Sequence, residues 1–490
     1  MRIFLLMLNL SLTCSTFFAE ARGADQNRYN VLFIAIDDLR PELGCYGVEH
    51  GQSQYLDEFA KSAVVFDRHY VQVATCGASR FALLTGRSPA TSGVTRSNAA
   101  LYSGKSALSQ EQLPGAQSMP ELFRRSGYRT VCIGKISHTA DGRVFEYNGK
   151  GDGRDELPHA WDALPTPFGP WKRGWGIFFA YSGGRSREDG GGHLDLMDFK
   201  AEKDEDLPDG LLAQEAISQL RSFKEKDERF FLGLGLFKPH LPFVAPKQDW
   251  DAIAQEDIDG SLSPKIDSPY WHNSGEFYKY RTPYEKTRPL SNEARQTARR
   301  AYLACVRYAD RQVGKVLSEL DKLGLADSTI VVVWGDHGWH LGEQQIWAKH
   351  SPFERANRSV LIVRAPGLSK PGVKSSALAE TIDLYPTLTE ICLPSFQKTR
   401  FSLDGVSLKP VLTGEKESVR ETAISYWGDA VSVRSKTHRL IAKVQKQKVV
   451  HTELYDLSKD QDSIENLAGK DSGTVESLLS QIPAHLLEEK

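Results

Sequence analysis

Five stretches of this 490-residue chain carry residue types able to do chemistry, and four of them share one pattern. The apolar run VLFIAI ends in Asp37 and Asp38, and TVCIG leads to Lys135 and His138. FFLGLGL leads to Lys238 and His240, and TIVVVWG ends in Asp336 and His337. Unbroken apolar runs of this kind are expected of strands buried on both faces. In open α/β sheets, ligands bind just beyond the carboxyl ends of the strands. Any one polar end would pass as a turn, a helix cap or a snorkelling lysine. Four of them aimed at one sheet edge make a site.

The chemistry of the set is specific. Asp37, Asp38, Asp336 and His337 form an oxygen-rich cluster that suits calcium or magnesium better than zinc, and the one imidazole keeps that choice open. Arg80, Lys135 and Lys349 can surround an oxyanion, while His138 and His240 can carry protons near neutral pH. A divalent cation, three basic side chains and two histidines describe a site that cleaves a tetrahedral oxyanion ester. Charge alone does not separate sulfate from phosphate.

The fifth stretch is VATCGASRFALLTGR, residues 73–87. It reads as a helix that starts near Cys76 and stops at Gly86. A helix N-terminus favours an anion, and the i, i+4 spacing sets Arg80 on the same face as Cys76. The plain alternative is a small buried hydrophobe. A thiolate phosphatase loop is excluded, because it needs five residues between cysteine and arginine and only three lie between Cys76 and Arg80.

Alternating strand-like and helix-like stretches predict an α/β fold, a large mostly parallel sheet sandwiched by helices. Beyond Leu412 the pattern changes to ETAISYW, AVSVRSKTHRLIAKV and VVHTELYDL, short strands at hairpin spacing, followed by a helix expected over 472–487. The expected division is a leader at 1–21, a catalytic unit at 22–415 and a smaller antiparallel subdomain with a packed helix at 416–490. The leader, MRIFLLMLNLSLTCSTFFAEA, reads as a signal peptide. Its run is short and holds Asn9, Ser11 and Thr13, unlike a membrane anchor. A net charge of -2 argues against a general nucleic-acid binder. Cys45, Cys76, Cys132, Cys305 and Cys392 follow the leader, and an odd number leaves at least one unpaired.

The segment Cys76-Gly-Ala-Ser-Arg80, followed by Leu84-Thr85-Gly86-Arg87, resembles the signature of type I sulfatases in the alkaline phosphatase superfamily. The resemblance extends through DDLRPELGCYG, GYRTVCIGKISH and FLGLGLFKPHLPF, and GDHGWHLGEQQIWAKHSPFE is most similar to the iduronate-2-sulfatase branch. It implies an alkaline-phosphatase-like fold and sulfate-ester hydrolysis on a sulfated carbohydrate. It also implies oxidation of Cys76 to formylglycine by a formylglycine-generating enzyme, with small Gly77 and Ala78 suiting a segment read in extended form. By this resemblance Asp37, Asp38, residue 76, Asp336 and His337 hold Ca2+, or Mg2+. The hydrated aldehyde attacks sulfur with Asp336 as base, His240 protonates the departing sugar oxygen, and His138 deprotonates the remaining hydroxyl. Arg80 holds the modified residue, Lys135 and Lys349 clamp sulfate, and Lys238, His340 and His350 are supporting or structural.

The glycine- and aromatic-rich stretch 141–210 is expected either to line the cleft, with Trp171, Trp175 or Tyr181 against a sugar ring, or to form a surface loop with its own small core, and the polar tract 251–296 is similar. Trp427, Asp429 and Arg434 are candidate contributions from the C-terminal subdomain. The expected location is secreted or periplasmic, or lysosomal in a eukaryote. A phosphatase, phosphodiesterase or phosphonate hydrolase of the same fold is the rival reading, since some of these also use formylglycine. A non-catalytic binder of sulfated glycans is disfavoured, because every expected catalytic position is filled.

Overall fold

A computed structural model describes residues 29–145, 151–190, 193–269 and 274–487. The leader expected at 1–21 lies outside the described residues. Seven strands form the main sheet: β1 (Asn30–Ile36), β2 (Val64–Tyr70), β3 (Arg129–Gly134), β4 (Phe230–Leu236), β5 (Thr329–Gly335), β6 (Leu361–Arg364) and β7 (Val373–Glu380). Their order is β7-β2-β6-β5-β1-β4-β3, and only β6 runs antiparallel to its neighbours. The sheet is mostly parallel, as its apolar runs predict.

The fully buried β1 explains its own composition. Leu32, Ile34 and Ile36 enter the core on one face, and Val31, Phe33 and Ala35 enter the core on the other. The first core is closed by α2 (Pro208–Lys226) and α3 (Asn292–Lys322), the second by α1 (Cys76–Thr85) and α4 (Leu384–Cys392). Strand register then sets the site. Ile36 lies opposite both Leu236 and Gly335, and Gly134 lies opposite Gly235, so four strands end level with one another. The alternating glycines of FFLGLGL belong to this edge. A Cβ on Gly235 would stand 2.2 Å from the carbonyl of Lys135, so only glycine lets that turn pack down on β4.

A separate four-stranded antiparallel sheet follows in the order β8 (Ala423–Trp427), β9 (Ala430–Arg434), β10 (His438–Gln445) and β11 (Lys448–Asp456). The helix beside it, α5 (Ser472–Leu479), is shorter than the expected 472–487, and a single 3-10 turn, Ala484–Leu486, follows. Pro483 accounts for the break, since it lacks an N–H and disfavours helical geometry at the residue before it. Among the described residues no helix is long and apolar enough to cross a membrane. Among the described residues Cys45, Cys76, Cys132 and Cys305 take part in no disulfide.

Candidate active site

Cys76 is the first residue of α1, and that helix ends at Gly86 in the left-handed conformation. Its thiol is buried, 3.3 Å from His337 Nε2 and 3.4 Å from Lys349 Nζ. One turn on, Arg80 is wholly buried and spans the strand ends. Its Nε donates to Asp336 Oδ2 at 3.0 Å and its Nη2 to Asp37 Oδ1 at 2.9 Å, while Nη1 donates to the carbonyls of Lys135 and Ile136. Helix α1 and strands β1, β3 and β5 are thereby tied at one point.

The lysines complete a charge lattice. Lys135 Nζ donates to Asp37 Oδ2 at 2.8 Å, and Lys349 Nζ donates to Asp38 Oδ1 at 2.7 Å. His337 Nδ1 faces the carbonyl of Gly338 at 2.9 Å, which leaves the Nε2 lone pair aimed inward, 3.1 Å from Asp38 Oδ1. His240 Nδ1 faces the carbonyl of Leu241 at 2.6 Å, and its Nε2 lies 3.9 Å from Asp38 Oδ2. Lys238 spans this turn, donating to the carbonyls of His240 and Pro242.

These residues meet the requirements of a hard cation. Ligand atoms of Asp37, Asp38, Cys76 and His240 lie within 4.8 Å of one another, and so do those of Cys76, Asp336 and His337. His240 joins the cluster beyond the set expected from sequence. Asp38 Oδ2 is buried and accepts no hydrogen bond among the described residues, a costly state for a carboxylate oxygen that no cation faces. The charge balance points the same way. Burial would raise the Asp37 carboxyl, but Lys135, His240 and Arg80 hold it well below the ordinary range. Asp38 is not compensated: burial, with Asp37 and Asp336 beside it, pushes its carboxyl well up despite Lys349. Burial and Asp37 push Asp336 up to about 6. Asp38 above all lacks the positive charge that would keep it ionised, and a divalent cation among the three carboxylates would supply it. Burial, then Asp37, also pushes the Cys76 thiol well up, so the unmodified side chain is a protonated, weak nucleophile here.

The cluster opens into a chamber of about 540 Å³ lined by Cys76, Lys135, His138, Trp175, Phe178 and His240, with Asn98, Arg187, Glu276 and His350 among its other walls. Burial pulls the basicity of His138 and His240 well below the usual histidine value.

The comparisons with known proteins decide the family. A model described as Sulfatase matches residues 29–392, and one described as N-sulphoglucosamine sulphohydrolase, C-terminal, matches residues 342–490. The chain belongs to the sulfatase family. It is 32% identical over 427 residues to iduronate 2-sulfatase of Mus musculus, covering 78% of this chain and 72% of that one. In fold it is similar to the phosphonate monoester hydrolase of Agrobacterium radiobacter, with a TM-score of 0.71 and 20% identity over 94% of this chain and 96% of that chain. It is likewise similar to a solved structure in complex with its substrate D-glucosamine-2-N,6-O-disulfate, with a TM-score of 0.65 and 22% identity over 93% and 97% of the two chains.

This sulfatase brings together every catalytic and metal candidate read from its sequence: Asp37, Asp38, Cys76, Arg80, Lys135, His138, His240, Asp336, His337 and Lys349 are all buried at the converging ends. Several outer candidates fall elsewhere. Trp171 is a core residue whose indole N–H donates to the carbonyls of Tyr181 and Arg185, and Tyr181 is fully buried with its hydroxyl on the carbonyl of Asp195. Of the three aromatics only Trp175 lines the chamber. Arg434 is spent on the buried Glu354, and Asp429 accepts from Gln445. His340 meets Ser351 Oγ at 3.0 Å, a structural contact. Trp427 stacks on His350 with centroids 5.0 Å apart, and so braces the chamber wall.

Two supporting residues of the sulfatase escaped sequence reasoning. Asn98 Oδ1 accepts from Gly77 N and Thr75 Oγ1, satisfying the first turn of α1 that Thr75 itself does not cap. A Cβ on Gly77 would lie 2.3 Å from Asn98 Cα, so packing in the folded state requires glycine at this position. Glu156 is fully buried and accepts from the backbone N–H groups of His138 and Thr139, pinning the turn after β3. Both sit in loops with no motif around them.

Proposed function

We propose that this sulfatase-family hydrolase removes sulfate from a sulfated carbohydrate, using Cys76 after its oxidation to formylglycine by a formylglycine-generating enzyme. The observation that carries the reading is the convergence of Cys76, Arg80, Lys135 and Lys349 on the three-aspartate cluster in a buried pocket. Asp37, Asp38, Asp336, His337 and residue 76 would hold the divalent cation, with calcium favoured and magnesium the alternative, and the cation would supply positive charge to oxygen at the reacting centre.

The chain's own residues account for each proton and bond. Lys135 and Lys349 hold the outer sulfate oxygens. Asp336 takes the proton from one hydroxyl of the hydrated aldehyde as that oxygen bonds to sulfur. The bond from sulfur to the sugar oxygen breaks, and protonated His240 gives its Nε2 proton to that oxygen. Nε2 is the nitrogen available for this transfer, because Nδ1 is engaged by the carbonyl of Leu241. His138 then removes the proton of the second hydroxyl, the aldehyde re-forms, and sulfate leaves residue 76. Two moderate barriers replace one large one.

The carbohydrate assignment is supported by the relatives, iduronate 2-sulfatase among them, and by the glucosamine disulfate bound in a structure of the same fold. The N-terminal sequence supports export to a secreted or periplasmic location. The rival is phosphoryl or phosphonyl transfer, since a phosphonate monoester hydrolase shares the fold. Matched aryl sulfate, aryl phosphate and aryl phosphonate esters separate the two. The expected result is the largest kcat/KM on the sulfate. A clear preference for phosphate or phosphonate overturns the sulfatase reading.

A further inference from the structure

Beyond His138 the cleft continues into a second chamber of about 730 Å³, which shares Asn98, His138 and Trp175 with the reaction chamber as a common wall. Its volume lies within the roughly 300–1,000 Å³ of small-ligand sites. The lining combines the rings of Tyr102, Phe145 and Trp175 with the polar side chains of Asn98, Ser103, Asp152 and Arg154. Aromatic faces amid hydrogen-bonding groups suit a sugar, whose C–H faces are apolar and whose rim is hydroxylated.

The walls are built rather than incidental. Trp175 Nε1 donates to the carbonyl of Phe145 at 2.6 Å, fixing the indole in the partition. Its ring lies 5.1 Å from that of His138. Arg154 joins the two sides of the chamber, donating through Nη2 to the carbonyl of Tyr102 at 3.2 Å and through Nη1 to Asp152. None of these contacts is needed to hold the reacting sulfate, which the reaction chamber accommodates alone.

We infer that the second chamber binds the sugar unit glycosidically linked to the sulfated one, so that the substrate is an oligosaccharide rather than a free monosaccharide. This rests on the sulfatase reading, and the test keeps the two apart. The probes are 2-O-sulfated uronic acid and 6-O-sulfated glucosamine, each alone and each extended by one and by three sugars, with an aryl sulfate as reference. For at least one series, the expected kcat/KM rises roughly tenfold or more from the free sugar to the disaccharide, the value of one well-stacked ring with a hydrogen bond. Tyr102→Ala and Arg154→Ala should each remove most of that advantage while aryl sulfate turnover stays at the wild-type level, which also certifies the fold. The inference is overturned if chain length brings no gain in either series, if the gain survives both substitutions, or if aryl sulfate alone is cleaved. Failure to release sulfate from any probe, aryl sulfate included, overturns the sulfatase reading instead.

Discussion

Cys76→Ala is expected to lower sulfate release by at least ~10³-fold, the scale on which removal of a covalent nucleophile acts. The substitution deletes one buried sulfur whose hydrogen-bonding partners are His337 Nε2 and Lys349 Nζ. It leaves α1, the Arg80 lattice and the strand ends in place, so thermal stability should change little. Loss of turnover at unchanged Tm would therefore report chemistry rather than folding. Steady-state kinetics on an aryl sulfate beside a thermal melt make the comparison, and retained turnover would require a different nucleophile.

The second large effect is on stability, at Glu354. This buried carboxylate accepts from Arg439 Nη2 at 2.6 Å and Nε at 3.1 Å, from Arg434 Nε at 3.2 Å and from Tyr70 Oη at 2.8 Å. It joins the C-terminal sheet to the main sheet, because Arg434 and Arg439 lie on β9 and β10 and Tyr70 ends β2. Glu354→Ala leaves two buried guanidiniums without their anion, and the expected cost is about 3–5 kcal/mol. The site should suffer as well. Lys349 stands between Ala348 and His350, both in the left-handed region at φ 75° and 64°, a conformation that persists only where surrounding packing enforces it. That packing includes the grip of Ser432 and Arg439 on the carbonyl of Pro352.

The same carboxylate sets a pH dependence. Burial would raise its pKa, but Arg434, Arg439 and Arg358 hold it well below the ordinary range. A depressed folded-state pKa contributes stability that is complete above the unfolded value, about 4.3, and is lost as the pH falls below it. Urea denaturation from about pH 6 down to about pH 2 should therefore show a steeper loss below about pH 4.3 in the wild type than in Glu354→Gln. Parallel curves would contradict the assignment.

The strand ends were legible in the sequence for a physical reason. Parallel strands covered on both faces must be apolar throughout, so the first polar residue marks the sheet edge, as at Asp37, Lys135 and Asp336. The 76–86 helix was legible from its small residues and its glycine stop. What escaped was set by tertiary packing. Trp171 and Tyr181 share the aromatic, glycine-rich surroundings of Trp175, yet their polar atoms find backbone partners in the interior and they never reach the cleft. Arg434 carries a charge that suits a substrate contact, but Glu354, 80 residues away in the chain, consumes it. Asn98 and Glu156 act on backbone N–H groups of other segments, and no local pattern announces such a role.

The chemical identity of residue 76 in the working enzyme decides the mechanism, and mass spectrometry of the peptide spanning 73–87 from active protein addresses it directly. The predicted peptide has lost one sulfur and two hydrogens and gained one oxygen relative to the cysteine form, and specific activity across preparations rises in proportion to the converted fraction. Full sulfate-releasing activity from protein whose Cys76 is entirely unconverted would contradict it.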